Sequence, residues 1–418
     1  MSNEQVAMSN ERKQSKLDEL IRELCPNGVE YKTLAELFNT RNGYTPSKSK
    51  PEFWVNGTVP WFRMEDIREN GRILSKATQY VSRSAVKGNP FPANSIIVAT
   101  SATIGEHALI TVPSLANQRF TYLMLKNEYI DMFDSKFLYY YCFKLDKYCK
   151  ECLNQGNFAS VDMKKFAKFE FPLVPIEVQR EIVRILDKFT ELIAELTAEL
   201  TARKKQYGCY RDSLLSFAGN TDVKNVPLGD IAKFVYGYTD KAKETGSVRF
   251  VRITDISEDG KLNPYDAKYV ELTEESKKYL LEKGDLLLAR TGATYGKTLY
   301  FEADEPAVYA SFLIKIILDN SVIKNRYYWH FSKSSLYWEQ AERYVSKGGQ
   351  QQFNTNAVSR VKVPIPSLEV QDKIIYVLDN FDAICSDLKI GLPAEIEARK
   401  KQYEFYREKL LAFHEISN

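Results

Sequence analysis

The chain has 418 residues, which is enough for two or three domains that each bury their own core. Its composition, 44% hydrophobic and 27% charged, is typical of folded globular proteins, and no apolar run approaches the roughly 18 residues that a membrane-spanning helix needs. The formal net charge of +3 excludes a protein that coats nucleic acid through its overall field, so any contact with a polyanion must come from local basic clusters.

A polar segment, residues 1–17, precedes a first predicted lobe, residues 18–171. The polar segment has no apolar core of a signal peptide, so we expect a cytoplasmic protein with no membrane partner. In the lobe, short aliphatic runs such as Ile96–Ala99 stand between Gly-rich turns and helical stretches. This alternation predicts an α+β fold.

Loops of the first lobe carry polar and basic side chains that suit DNA. Arg matches guanine edges, and Lys, Ser and Thr match phosphates. The predicted contacts are Arg41, Tyr44, Lys48, Lys50, Arg63, Lys76, Arg83, Lys87 and Asn157. For any one of them taken singly, a solvated surface position is the alternative.

Residues 172–217 are predicted to form one long spacer helix. Apolar positions recur at steps of four and three, a heptad seam broken only at Arg203. At 1.5 Å per residue the helix is roughly 60 Å long, and so long an apolar stripe requires a second helix as partner. Within it, the tetrapeptide Ala194–Thr197 is repeated at Ala198–Thr201. The seam residues predicted to pack are Ile182, Leu186, Phe189, Leu196, Leu200, Tyr207 and Leu214.

Residues 218–363 repeat the first lobe with different loops. Gly43-Tyr44-Thr45 returns as Gly237-Tyr238-Thr239, and the aliphatic strand returns as Leu286–Ala289, each strand leading to a Thr-x-Gly turn. The predicted DNA contacts here are Tyr238, Lys241, Lys243, Arg249, Arg252, Arg290, Lys297, Lys347, Gln350, Gln351 and Gln352. Because two polar sets occupy equivalent loops, DNA contact becomes the favoured interpretation for the sets as a whole.

Residues 364–418 repeat the spacer. Pro172–Phe189 aligns with Pro364–Phe381 without a gap, and Ala202–Tyr207 returns letter for letter as Ala398–Tyr403. Gly391 and Pro393 predict a break into two shorter helices. The predicted packing residues are Ile374, Leu378, Phe381, Tyr403 and Leu410.

The end of the chain begins the lobe pattern once more, at Glu408–Leu411. This overlap predicts that the C-terminal segment takes a place equivalent to that of the mid-chain one, in a pseudo-two-fold, nearly cyclic arrangement. The fold class is therefore α+β: two repeated α/β lobes separated and followed by long coiled-coil helices.

Catalytic motifs are not recognisable. Gly292–Thr298 resembles a phosphate-binding loop but has three residues between its glycines, where that loop has four. The three histidines are scattered, and the Cys149/Cys152 pair lacks two further metal ligands nearby. We expect no enzyme activity, no cofactor and no metal site.

With these residues, the chain resembles the specificity subunits of Type I restriction–modification systems. The marks are the Pro-x-x-x-x-Glu-Val-Gln-x-x-Ile segments that begin at Pro172 and Pro364, the repeated Ala-Arg-Lys-Lys-Gln-Tyr blocks, and the tetrapeptide repeat. The resemblance covers nearly the whole length, from the first lobe to the second spacer. The break at Gly391–Pro393 departs from it and leaves the spacer geometry open.

The resemblance implies a non-catalytic subunit with two target recognition domains. Each domain would read one half of a split sequence in double-stranded DNA, and the helices would set the number of unread base pairs. The spacers would dock two methyltransferase subunits, and restriction subunits would join that core. The alternative is a two-lobed protein- or glycan-binding adaptor that its helices dimerise; a nearer variant is a silent copy of a specificity subunit.

Overall fold

The computed structural model describes residues 16–154, 159–217, 222–346, 351–386 and 390–416. The chain divides into two compact units, Met1–Ile193 with Arg399–Asn418, and Ala194–Ala398. The first unit is thus completed by the far end of the sequence, whereas the second is continuous. The boundaries between the two units fall within both spacers. The lobe boundaries given above stay a prediction.

The lobe of the first unit has ten strands in its described residues: β1 (Tyr31–Thr33), β2 (Phe38–Asn42), β3 (Val59–Phe62), β4 (Ile73–Leu74), β5 (Tyr80–Val81), β6 (Ser95–Ala99), β7 (His107–Ile110), β8 (Leu115–Ala116), β9 (Phe120–Leu125) and β10 (Glu170–Pro172). They form a five-stranded sheet of order β2-β9-β6-β7-β4, a second sheet β5-β3-β8 and the pair β1-β10. Its helices are α1 (residues 16–24), α2 (Leu34–Leu37), α3 (Met64–Asn70), α4 (Ser135–Glu151) and α5 (Met163–Phe166).

Strand β6 explains why the sequence shows an unbroken aliphatic run there. Ile96 and Val98 pack in the core that contains α4, and Ile97 and Ala99 pack in the other core of the lobe. Successive side chains of a strand point to opposite faces, so a strand covered on both sides must be apolar at every position.

The first spacer is α6 (Ile176–Ser216), a single helix of 41 residues. The prediction of one helix roughly 60 Å long is confirmed, because each residue adds about 1.5 Å. Its first part belongs to the first unit and its second part, from Ala194, to the second.

The second lobe repeats this architecture with strands β11 (Lys224–Pro227), β12 (Ala232–Tyr236), β13 (Val248–Val251), β14 (Tyr269–Val270), β15 (Leu286–Ala289), β16 (Thr298–Tyr300), β17 (Ala307–Tyr309), β18 (Leu313–Leu318) and β19 (Lys362–Ile365). They form a four-stranded sheet of order β12-β18-β15-β16, a sheet β14-β13-β17 and the pair β11-β19. Its helices are α7 (Leu228–Ile231), α8 (Asn325–Phe331), α9 (Ser335–Tyr344) and α10 (Thr355–Val358).

The second spacer consists of two helices of 19 residues each, α11 (Leu368–Ser386) and α12 (Leu392–Leu410). The predicted break is confirmed, with Pro393 in the first turn of α12, where a missing N–H costs nothing. The mixed α/β lobes with long helices are confirmed as well.

Within each unit, the start of one spacer packs against the end of the other. In the first unit Ile182 and Leu186 of α6 share a core with Leu410 and Leu411, and the rings of Phe189 and Tyr406 stack 5.4 Å apart. The second unit repeats this: the predicted packing residues Ile374 and Leu378 share a core with Tyr207 and Leu215, with Leu200, Leu214 and Phe381 packed against it. Tyr403 packs against the first core, and Leu196 is half-buried.

The C-terminal segment therefore occupies in the first unit the place that Leu214–Phe217 occupies in the second. Leu411 is buried, Phe413 packs against the same core, and Val29 N donates to His414 O at 2.9 Å. This is the equivalence that the overlap at Glu408–Leu411 predicted.

Candidate nucleic-acid interface

The loops that carry the candidate side chains begin in the same way in both lobes. A Cβ added to Gly43 would lie 2.3 Å from Ala116 O, and one added to Gly237 would lie 2.3 Å from Ala310 O. Only glycine allows this close approach of two backbones. The repeated Gly-Tyr-Thr is thus a backbone docking point that fixes where each loop starts.

The two loops differ in length. Thirteen residues separate Gly43 from Gly57 in lobe 1, and eight separate Gly237 from Gly246 in lobe 2. The second glycine of each pair lies against the backbone of β5 or β14. The longer loop of lobe 1 contains a 3₁₀ turn, Pro51–Phe53, followed by Trp54. The strands and the two glycines that hold the loop, which we call the frame, are repeated in both lobes. The loop between the glycines, which we call the tip, is specific to each lobe.

Several lobe 1 candidates meet at this loop. Lys87 N donates to the Tyr44 hydroxyl at 2.6 Å, and the Lys87 ammonium lies 5.2 Å from the centre of the Tyr44 ring. Lys50 lies over Phe53, and Lys48 and Arg63 line one cavity beside Trp54. The other candidates lie apart from this group: Arg41 stacks over Phe91, Arg83 donates to Asn89, and Lys76 is exposed.

The aspartate of the repeated Arg-x-x-Asp-Ile segment has a structural role. Asp66 accepts from Arg63 N at 2.7 Å, and Asp255 accepts from Arg252 N at 2.8 Å, each carboxylate capping a helical turn. The arginine side chains differ, however. The Arg252 guanidinium is held by Asp255 and Asp266, whereas Arg63 Nε lies 3.9 Å from the Glu65 carboxylate.

Arg249 lies in the interior of lobe 2. It is 5% exposed, pairs with Glu305 at 2.5 Å and donates to Asn263 O. Burial of a charge requires such partners, which leave the guanidinium little to offer DNA. DNA contact by Arg249 is untested, and its surroundings favour a packing role.

Arg290 and Gln352 are brought together at the edge of lobe 2. The Arg290 guanidinium lies between the rings of Tyr236 and Phe312, at 5.4 and 5.5 Å from their centres. Phe353 N donates to Arg290 O at 2.7 Å, and Gln352 forms a β-bridge with Thr291. A half-buried arginine beside an exposed amide and two exposed aromatic rings suits base edges.

The remaining lobe 2 candidates are spread out. Gln351 O accepts from Gly292 N, Tyr238 packs on Tyr279, Lys241 is exposed, and Lys243 bridges to Tyr269. Lys297 lines a separate recess with Lys204, Arg211 and Lys333. Asn157, Lys347 and Gln350 lie outside the described residues.

Sequence reasoning missed two residues at this surface. Arg119 is exposed, and its O accepts from Thr100 N just as Phe312 O accepts from Arg290 N. Each lobe thus has one arginine at equivalent ends of its strands, just before β9 in lobe 1 and just after β15 in lobe 2. Trp54 lines the lobe 1 cavity. A strand-pairing alignment would have found Arg119; Trp54 sits in the extra loop residues, where the repeat gives no signal.

The histidines His107 and His330 and the pair Cys149 and Cys152 are buried in the interior of the described part of the chain. Burial lowers the pKa of His107 to about 3 and that of His330 to about 4, so both are neutral at pH 7. Burial raises the pKa of the Cys149 thiol to about 12, and Cys152 is buried beside it. In the described ranges no cluster of three or more His, Cys, Asp or Glu could hold a metal ion.

Comparison with known proteins gives a consistent result. The model of the Type I restriction modification DNA specificity domain matches residues 26–203 and 220–398. The chain is 43% identical to the Type I restriction enzyme EcoprrI specificity subunit of Escherichia coli, over 86% of this chain and 89% of that one. It is 31% identical to the EcoR124I/EcoR124II specificity subunit of Escherichia coli, over 58% and 61% of the two chains.

A solved chain of the type I R-M system, 16% identical, covers 92% of this chain and 97% of its own length with a TM-score of 0.62. At this identity the likeness concerns the fold alone. No helix in the described part of the chain is long and apolar enough to cross a membrane.

Proposed function

Because the chain belongs to the family of Type I restriction–modification specificity subunits, we propose that each of its lobes reads one half of a bipartite double-stranded DNA target. The observation that carries this proposal is the contrast between frame and tip. Both lobes fix their loops with the same glycines, strands and aspartate caps, and then present different side chains. Two copies of one frame with unlike tips suit two unlike half-sites.

The spacers set the number of unread base pairs in this proposal. An uninterrupted helix of 41 residues is stiff, so its length would translate into a fixed gap between half-sites. DNA rises 3.4 Å per base pair, which makes one helical turn of protein worth between one and two base-pair steps.

The spacers also dock two methyltransferase subunits in this proposal, and restriction subunits complete the complex. Exposed apolar side chains on the helices support docking, because such groups mark protein interfaces. On α11 Tyr376 is 73% exposed, and on α12 Phe405 is 63% exposed. Methyl transfer would belong to the partners, which would also share the phosphate contacts that a chain of net charge +3 lacks.

Methylation mapping tests the proposal. A host that expresses this chain with the methyltransferase of its own system is compared, by single-molecule sequencing, with a host that lacks the chain. We expect a new split motif methylated in both halves. Exchanging residues 20–170 for another lobe is the matched control, and we expect it to change one half only. The absence of any new motif while the methyltransferase co-purifies with the chain would count against sequence reading by this copy.

A further inference from the structure

Lobe 1 contains a cavity of about 450 Å³ beside the loop that follows Gly43. Two of its walls are the indoles of Trp54 and Trp61, whose centres lie 5.0 Å apart with planes at 84°. Lys48, Arg63 and Gln79 supply its polar lining. We call these five residues the indole pocket. Its volume is in the range of sites that hold small-molecule ligands.

The indole pocket is held in shape by hydrogen bonds of its own loop. Trp54 Nε1 donates to Ser47 O at 3.1 Å, and Trp61 Nε1 donates to Tyr44 O at 3.0 Å. Ser82 N donates to Phe53 O at 2.9 Å and fixes the residue before Trp54. Both indole N–H groups are already bonded, so a ligand would meet ring surface rather than donors. Most of that surface belongs to the half-buried Trp54, because Trp61 is only 5% exposed.

The polar lining retains unused hydrogen-bonding capacity. Arg63 Nε is buried without a hydrogen-bond partner, and its guanidinium lies 5.7 Å from the Trp61 ring centre. Lys48 is exposed at the rim of the pocket, and Gln79 is half-buried in its wall. A buried donor without a partner is costly, and a ligand edge would satisfy it. In lobe 2 the equivalent Arg252 is already bonded to Asp255 and Asp266.

We propose that the indole pocket receives one nucleobase of the DNA bound by lobe 1, turned out of the base stack. A base has two flat π faces that stack on an indole, and stacking on the protein offsets the loss of stacking in the duplex. Arg63 and Gln79 face the edge of the base, and Lys48 meets its phosphate. The inference rests on the proposed function in that lobe 1 binds DNA, and it adds a mode of contact that groove reading does not require.

Abasic scanning combined with a Trp54 variant tests the pocket. The complex of this chain with its methyltransferase is titrated with duplexes in which each nucleotide of the lobe 1 half-site is made abasic in turn, on either strand. At the pocketed position we expect the abasic change and Trp54→Ala each to weaken binding about 5- to 150-fold. The two changes together are expected to weaken it no further, because both remove the same stacking contact.

Two variants control for folding and for general loss of aromatic surface. Trp54→Phe keeps a stacking face and is expected to bind within about threefold of the unchanged complex. Tyr265→Ala removes an aromatic that is 73% exposed in lobe 2, and its effect is expected to add to every lobe 1 abasic change.

Additive effects of Trp54→Ala and the abasic change at every position would overturn the proposal. If the effects are additive and free deoxynucleosides also quench the tryptophan fluorescence of the complex, the pocket binds a free nucleoside instead of a base of the DNA, and the proposal is again overturned. Failure of the proposed function is distinguishable, since the unchanged complex would then bind all duplexes alike.

Discussion

At the scale of single residues, one buried glutamine in each spacer connects that spacer to its own lobe by hydrogen bonds. Gln179 accepts from Asp134 N at 2.9 Å and donates to Met132 O and Val174 O, at 2.8 and 2.6 Å. Gln371 accepts from Lys324 N at 2.9 Å and donates to two backbone carbonyls of its own unit. A side-chain amide is the group that can accept and donate at once. This is the physical content of the repeated Glu-Val-Gln.

Replacing Gln371 by alanine is expected to destabilise the second unit by about 2–4 kcal/mol, because one buried N–H and two carbonyls lose their partner. Denaturant unfolding and amide exchange at residues 322–324 measure the effect. The neighbouring exposed Lys373→Ala is the matched control, expected to stay within about 0.5 kcal/mol of the unchanged protein. Equal losses in the two variants would contradict the assignment.

The two buried histidines make the stability of the protein depend on pH. His330 lies between the Tyr207 hydroxyl at 3.2 Å and the Asp379 carboxylate at 2.7 Å. Neither nitrogen of His107 has a hydrogen-bond partner among the residues that the structure describes, and its ring packs edge-on against Phe143. Burial holds the folded pKa values, about 4 and about 3, below the ordinary value of 6.5.

Between pH 6.5 and about 4 the unfolded chain therefore binds more protons than the folded one, so stability falls as the pH is lowered through this window. We expect a loss of up to about 1.4 kcal/mol per pH unit for each histidine. Urea unfolding at pH 7, 6 and 5 measures the slope. His107→Leu removes one titrating group without breaking a hydrogen bond and is expected to reduce the slope by about half. An unchanged slope in that variant would refute the role of His107.

At the scale of elements, the middle of α6 differs from its ends. Ile182 and Leu215 are fully buried in their units, whereas most side chains between Glu191 and Gln206 are exposed. The tetrapeptide repeat at 194–201 falls in this exposed stretch, where residues can be lost without opening a core.

Deleting residues 197–200 is expected to shorten the spacer by about 6 Å and to rotate its far end by about 40°, since four residues exceed one turn of 3.6. Under the proposed function, the unread gap changes and both half-sites keep their sequences. Methylation mapping of the deletion variant decides this. A changed half-site sequence would show that the deletion disturbs a lobe instead.

The helices and strands that local sequence patterns determine could be predicted from the sequence. The heptad seam gave α6, Pro393 gave the break before α12, and the aliphatic runs gave β6 and β15. The side-chain surroundings depend on contacts between distant residues, which no local pattern encodes. Thus Arg249 and Arg252 look like surface arginines in the sequence, yet in the structure Arg249 forms an ion pair with Glu305 and Arg252 forms one with Asp266.

At the scale of the whole molecule, equivalent leucines from the two spacers complete different units. Leu411 is 1% exposed in the core of the first unit, and Leu215 is 0% exposed in the core of the second. Lys144 Nζ also donates to Leu411 O at 2.7 Å, which fixes the C-terminal segment on α4.

Leu411→Ala is expected to cost the first unit about 2–5 kcal/mol and to leave the second unit unchanged, and Leu215→Ala is expected to do the reverse. Hydrogen exchange followed by mass spectrometry resolves the two units within one sample. Equal loosening of both units by either substitution would show that they unfold as one.

The placement of the C-terminal segment also has a consequence during synthesis. The first unit needs residues 399–416, which leave the ribosome after residue 398, whereas the second unit is made of residues 194–398 alone. Domains that emerge whole can fold while translation continues. The half of the protein that is made first is therefore expected to finish folding last, and a messenger that ends early would yield a folded second unit attached to an open first one.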